Sequence, residues 1–80
     1  MTIPLVTSHD PGLFDQLDAV ERAISREFSQ RVHDFHMELV EEGLVLSGRT
    51  RRYFFKQEVQ HAVIRAIDVP IVANAICVER

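Results

Sequence analysis

The chain has 80 residues, one domain's worth, and a domain of this size buries only about 60% of the surface its unfolded chain would expose. Apolar residues make up 46% and charged residues 26%, which excludes a wholly disordered chain, and three Gly with three Pro exclude a fibre. The formal net charge of −3 argues against nucleic acid as a partner, but it is unevenly spread: residues 1–48 carry three basic and nine acidic side chains, residues 49–80 six basic and three acidic.

Met1-Thr2-Ile3-Pro4-Leu5-Val6-Thr7 lacks the charge and apolar run of a signal peptide, and no apolar stretch approaches the ~20 residues that span a bilayer. The expectation is a soluble, cytoplasmic protein. Cys77 is the single cysteine, so no internal disulfide and no thiolate zinc site can form. Its alternating apolar surroundings predict a buried, inert thiol.

Residues 1–12 read as an arm and 13–80 as the domain. Asp10-Pro11 has the form of a helix start, with Asp10 as N-cap and Pro11 in the first helical position, but Gly12 works against it and Asp15 is an alternative start. Leu13, Leu17, Val20, Ile24 and Phe28 then recur at helical spacing, which predicts a helix over 13–31. Phe35, Met37 and Leu39 alternate with His36, Glu38 and Val40, the period of a strand. Glu41-Glu42-Gly43 supplies a turn, and Leu44-Val45-Leu46-Ser47-Gly48 a second strand, so the pair reads as a hairpin. Arg49-Thr50-Arg51-Arg52 leads into a second helix whose apolar stripe is Phe55, Val59, Ala62, Val63 and Ala66. Asp68-Val69-Pro70 closes it, since proline cannot extend the helical ladder. Residues 71–78 alternate once more, apolar on both faces, as in a central strand or one whose second face meets a partner. The resulting class is α+β: a two-layer sandwich in α-β-β-α-β order, two helices on one face of a three-stranded sheet.

That order resembles the BON domain (bacterial osmotically inducible and nodulation proteins). Leu44-Val45-Leu46-Ser47-Gly48 is similar to the family's Val-x-Leu-Ser-Gly strand, and the run Val69 to Val78 to its closing Val-x-x-Val-x-Asn-x-Ile-x-Val. Tyr53-Phe54-Phe55-Lys56-Gln57, followed by Val59 and Ala62-Val63, fits the helix between them. Asp68 stands where the family usually has glycine, and Gly43 lies one residue closer to its strand than the family's turn glycine. The resemblance implies an α/β sandwich and a non-catalytic module of stress-related bacterial proteins that binds phospholipid or envelope surfaces.

His33 and His36 have only Asp34 and Glu38 nearby in sequence, short of the convergent ligands that a metal needs. Glu41 and Glu42 read as a solvated turn rather than an acid/base pair, and Ser25, Ser29 and Ser47 have no evident His and Asp partners. The expectation is no enzyme, no cofactor and no metal. Two surfaces remain. A basic edge of Arg49, Arg51, Arg52 and Lys56, flanked by Tyr53 and Phe54, suits an anionic membrane surface, the alternative being that Tyr53 or Phe54 caps the core edge and the arginines pair with Glu38, Glu41 or Glu58. An open sheet face of Val45, Ala73, Ala75 and Cys77 suits a second copy or another protein, provided that Leu44, Leu46, Val72 and Ile76 face the helices.

Overall fold

The computed structural model describes residues 11–80. Helix α1 (Pro11–Glu27) is followed by β1 (Val32–Val40), β2 (Gly43–Thr50), α2 (Tyr53–Ala66) and β3 (Ile71–Val78). The fold is α+β in α-β-β-α-β order, with the helices against a three-stranded mixed sheet. β2 lies in the middle, antiparallel to β1 and parallel to β3. Because a parallel return needs a crossover, α2 must span the sheet between β2 and β3. The strand that the apolar alternation of 71–78 suggested as central is therefore an edge strand, and its apolar character does not mark burial on both sides.

The core follows the stripes in the sequence. Leu17, Ile24 and Phe28 come from α1 and the turn after it, Val59, Ala62 and Val63 from α2, and Leu44, Leu46 and Ile76 from the sheet. Leu44, Leu46, Val59 and Val63 are fully enclosed, and burial of each contributes roughly 1.5–3 kcal/mol. Ala66, expected on the buried stripe, is exposed at the helix end.

The boundaries shift in three places. Pro11 and Gly12 belong to α1 rather than to the arm, while Asp10 as its cap and residues 1–10 lie outside the described residues. α1 stops at Glu27, four residues early, and a turn over residues 28–31 carries the chain into β1 at Val32. Within β1 the register slips between His33 and His36, and Asp34 takes a left-handed φ of 55°. Such a bulge lets Val32 and Phe35, three residues apart, both face the helices, where strict alternation would turn one of them outward. Gly48 lies against this bulge: a Cβ there would stand 3.0 Å from the His33 carbonyl oxygen, and its φ is 148°. β2 runs on through Thr50, two residues past the glycine that was expected to end the hairpin.

A second slip separates Leu44↔Ile71 from Val45↔Ala73 and leaves Val72 as the extra residue. Val72 is consequently 46% exposed, contrary to its expected place beneath the helices. Beyond the slip the alternation is as expected. Val45, Ser47 and Arg49 pair with Ala73, Ala75 and Cys77 on the open face, while Leu46 and Thr50 pair with Asn74 and Val78 on the helix face.

On both edge strands an outward amide is taken by a side chain. On β1 the Met37 N–H donates to Glu21 Oε1 of α1 at 2.9 Å, and the same oxygen lies 3.1 Å from His36 Nδ1. On β3 the Glu79 N–H reaches the Thr50 carbonyl, so odd-numbered amides point at β2 and even-numbered ones outward. The outward Ile76 N–H donates to Asn74 Oδ1 at 3.2 Å. Asn74 Nδ2 in turn donates to the Lys56 carbonyl and to Gln60 Oε1, joining β3 to α2.

Candidate functional site

The basic edge divides into parts that face different ways. Arg49 is a strand residue on the open face, opposite His33 and Cys77. Its Nη2 lies 2.7 Å and its Nε 3.1 Å from Asp34 Oδ2, with Glu79 at 3.8 Å behind. The Asp34 hydrogen bond first, then the charges of Asp34 and Glu79, raise the Arg49 pKa above the ordinary arginine value. The carboxylates that occupy Arg49 are thus Asp34 and Glu79, not Glu38, Glu41 or Glu58. Lys56 is half-buried one turn into α2, and its carbonyl serves Asn74. Neither residue joins the other arginines.

Arg51 and Arg52 do come together, and a residue from elsewhere meets them. Gln30, Arg31, His33, Thr50, Arg51, Arg52 and Phe55 line a cleft of about 360 Å³ between the start of β1, the end of β2 and the first turn of α2. No acidic side chain lines it. Among the described residues Arg31, Arg51 and Arg52 form no salt bridge. Thr50, only 1% exposed, donates its hydroxyl to the Arg31 carbonyl at 2.7 Å and accepts the Arg52 N–H at 3.4 Å. The Arg31 guanidinium stands over the half-buried Phe55 ring, 5.4 Å from its centroid, a cation–π contact that holds it toward the cleft. Arg52 is the N-cap of α2 and makes no side-chain capping bond, so the first helical N–H groups lack a side-chain acceptor.

Tyr53 and Phe54, each 60% exposed, stand beside the cleft. Phe55 next to them turns inward and meets Phe54 edge-on at 5.3 Å. Three consecutive aromatics at the start of a helix cannot all face the core, because successive residues lie about 100° apart around the axis. The sequence left open whether Tyr53 or Phe54 caps the core edge, and both stand outward; Arg31 was not legible, since it lies 20 residues before Arg51 and only the β1–β2 hairpin returns the chain to it.

On the open face Val45 is half-buried, while Ala73, Ala75 and Cys77 are exposed. Exposure of Cys77 overturns the buried, inert thiol, because the residue lies on the uncovered face of an edge strand. The apolar patch is small and is bordered by Glu38 and Arg49. Among the described residues no three His, Cys, Asp or Glu side chains gather as metal ligands, and no helix is long and apolar enough to cross a membrane. The chain matches no protein-family model, no curated protein and no solved structure.

Proposed function

We propose that this domain is a non-catalytic binding module of the BON type that attaches to anionic lipid surfaces by the start of α2. The observation that carries this reading is the exposed Tyr53-Phe54 pair next to Arg51, Arg52 and Arg31, three guanidinium groups with no carboxylate lining their cleft. Aromatic rings and cations side by side suit a lipid interface: the rings enter the headgroup region while the cations meet its charge. Three basic groups near an anionic surface contribute roughly 3 kcal/mol together, enough for reversible attachment and not for anchoring. The α-β-β-α-β order expected from the resemblance supports the reading as well. Co-sedimentation with phosphatidylglycerol-containing vesicles tests it. Binding at low salt that fades at high salt is expected, and no binding at low salt overturns it.

A second reading, self-association through β3, rests on a different observation. β3 is an edge strand with no charged side chain from Ile71 to Val78, and its Ala73, Ala75 and Cys77 are exposed. Uncharged edges invite strand pairing. Sedimentation equilibrium over a range of concentrations decides this reading, and a monomer at high micromolar concentration rules it out.

A further inference from the structure

We infer that the cleft between the start of β1 and the first turn of α2 is a subsite for a phosphomonoester dianion, held by Arg31, Arg51 and Arg52. The inference rests on the reading of the basic edge given above and names the head group that the edge takes.

Unneutralised charge is the first argument. Outside the cleft Arg22 lies 3.7 Å from Asp18 and Arg49 is held by Asp34 and Glu79, while Arg26, Arg65 and Arg80 form no salt bridge among the described residues; what sets the cleft apart is that its unpaired arginines share one concavity. In the cleft three arginines from two chain segments, Arg31 before β1 and the adjacent Arg51 and Arg52 after β2, line one concavity with no acidic side chain in the lining. Like charges brought together in a concavity repel one another, and an anion in the cleft relieves that repulsion.

Preorganisation is the second. Arg31 is fixed at both ends, its carbonyl by the Thr50 hydroxyl and its guanidinium by the Phe55 ring. The Thr50 oxygen also receives the Arg52 N–H, so one buried hydroxyl sets the spacing between two walls of the cleft. A guanidinium already oriented loses less freedom when it binds than one on a mobile stem.

Ligand class follows from charge and shape. A phosphomonoester carries about −1.5 to −2 at neutral pH and three terminal oxygens, whereas a phosphodiester carries one charge and two such oxygens. Paired N–H donors of one guanidinium can take two phosphate oxygens. Against three cations a monoester brings a second negative charge and a third terminal oxygen that a diester lacks, so it neutralises the cleft more fully. The volume of about 360 Å³ lies at the small end of ligand pockets, which fits a head group rather than a whole lipid. Tyr53 and Phe54 at the rim would lie beside the rest of a membrane-bound ligand.

Two sources offer this chemistry, the head group of phosphatidic acid and a soluble phosphomonoester. The test is an amide and arginine Nε–H NMR titration of the full chain with glycerol 3-phosphate and, separately, with chloride. It is accompanied by co-sedimentation with phosphatidylcholine vesicles containing either phosphatidic acid or phosphatidylglycerol. Saturable shifts centred on Arg31, Thr50, Arg51 and Arg52 are expected, absent with chloride, with Arg31→Met and Arg51→Gln each weakening glycerol 3-phosphate roughly tenfold or more. Stronger sedimentation with phosphatidic acid than with phosphatidylglycerol assigns the head group as the source. Glycerol 3-phosphate shifts with no sedimentation on either vesicle keep the subsite, make the ligand soluble and overturn the membrane reading. Sedimentation on both vesicles alike, with no response to glycerol 3-phosphate, overturns the subsite and leaves the membrane reading standing. Wild-type affinity in both variants likewise overturns the subsite; Arg51 is exposed, so its substitution tests the cleft without threatening the fold.

Discussion

The Thr50 hydroxyl donates to the Arg31 carbonyl at 2.7 Å and so ties the end of the central strand to the turn before β1. It is the one buried polar side chain among the described residues, and it accepts the Arg52 N–H as well. Thr50→Val keeps the shape and removes both bonds. An unsatisfied buried carbonyl costs about 1–3 kcal/mol, so urea unfolding of the variant should show a loss in that range. Phosphomonoester affinity should fall with it, although Thr50 carries no charge. Unchanged stability would show that water replaces the hydroxyl at no cost.

Gly43 and Gly48 make a paired prediction of graded cost. A Cβ on Gly43 would lie 2.3 Å from the Pro70 carbonyl oxygen, the acceptor of the Leu44 N–H, and φ there is 149°. A Cβ on Gly48 would meet the His33 carbonyl oxygen at 3.0 Å, also at a positive φ. Backbone strain alone costs of order 1–3 kcal/mol at each position. Gly43→Ala must in addition move the backbone that begins β3, so its thermal midpoint should fall further than that of Gly48→Ala. Equal midpoints would contradict this ordering.

Asn74 explains why a polar residue stands on the helix face of an apolar strand. Its amide satisfies three groups at once: the Lys56 carbonyl, Gln60 Oε1 and the outward N–H of Ile76. Asn74→Asp keeps the acceptor for Ile76 but sets a carboxylate against two oxygens. It should destabilise the domain by roughly 1–3 kcal/mol in chemical denaturation. Asn74→Ala frees the Ile76 amide on the β3 edge and should raise concentration-dependent association, seen by sedimentation, if β3 pairs with a second copy.

The layers and most of the core were readable because stripes at 3.6 and 2.0 residues record which face of an element is buried. Leu17, Ile24, Val59 and Val63 are buried as their spacing predicts. Strand position was not readable. Ile71 to Val78 has the composition of a central strand, yet lies at the edge, because composition reports what covers the faces and not which neighbours supply hydrogen bonds. The two bulges were hidden for a related reason: an inserted residue such as Asp34 or Val72 shifts the alternation without leaving a distinctive residue type. At the basic edge, proximity in sequence grouped Arg49 with Arg51, but residues two apart at a strand end need not share a surface. Arg49 found Asp34 across the sheet, and Arg51 found Arg31.

That separation yields the sharpest test of the lipid contact. Arg49 is held by Asp34 and Glu79 on the open face, so Arg49→Gln should leave vesicle binding close to wild type. Arg51→Gln and Arg52→Gln remove the same formal charge from the cleft, and each should reduce binding at low salt by roughly fivefold, the equivalent of about 1 kcal/mol per basic group. Tyr53→Ser with Phe54→Ser should instead remove the binding that survives high salt, since burial of rings is not screened by ions. Both side chains are largely exposed, so the double variant should lose little stability beyond the edge-on contact of Phe54 with Phe55, worth about 0.5–1.5 kcal/mol. Four variants of equal weak effect would mean that net charge, rather than this cleft and its two aromatics, governs attachment.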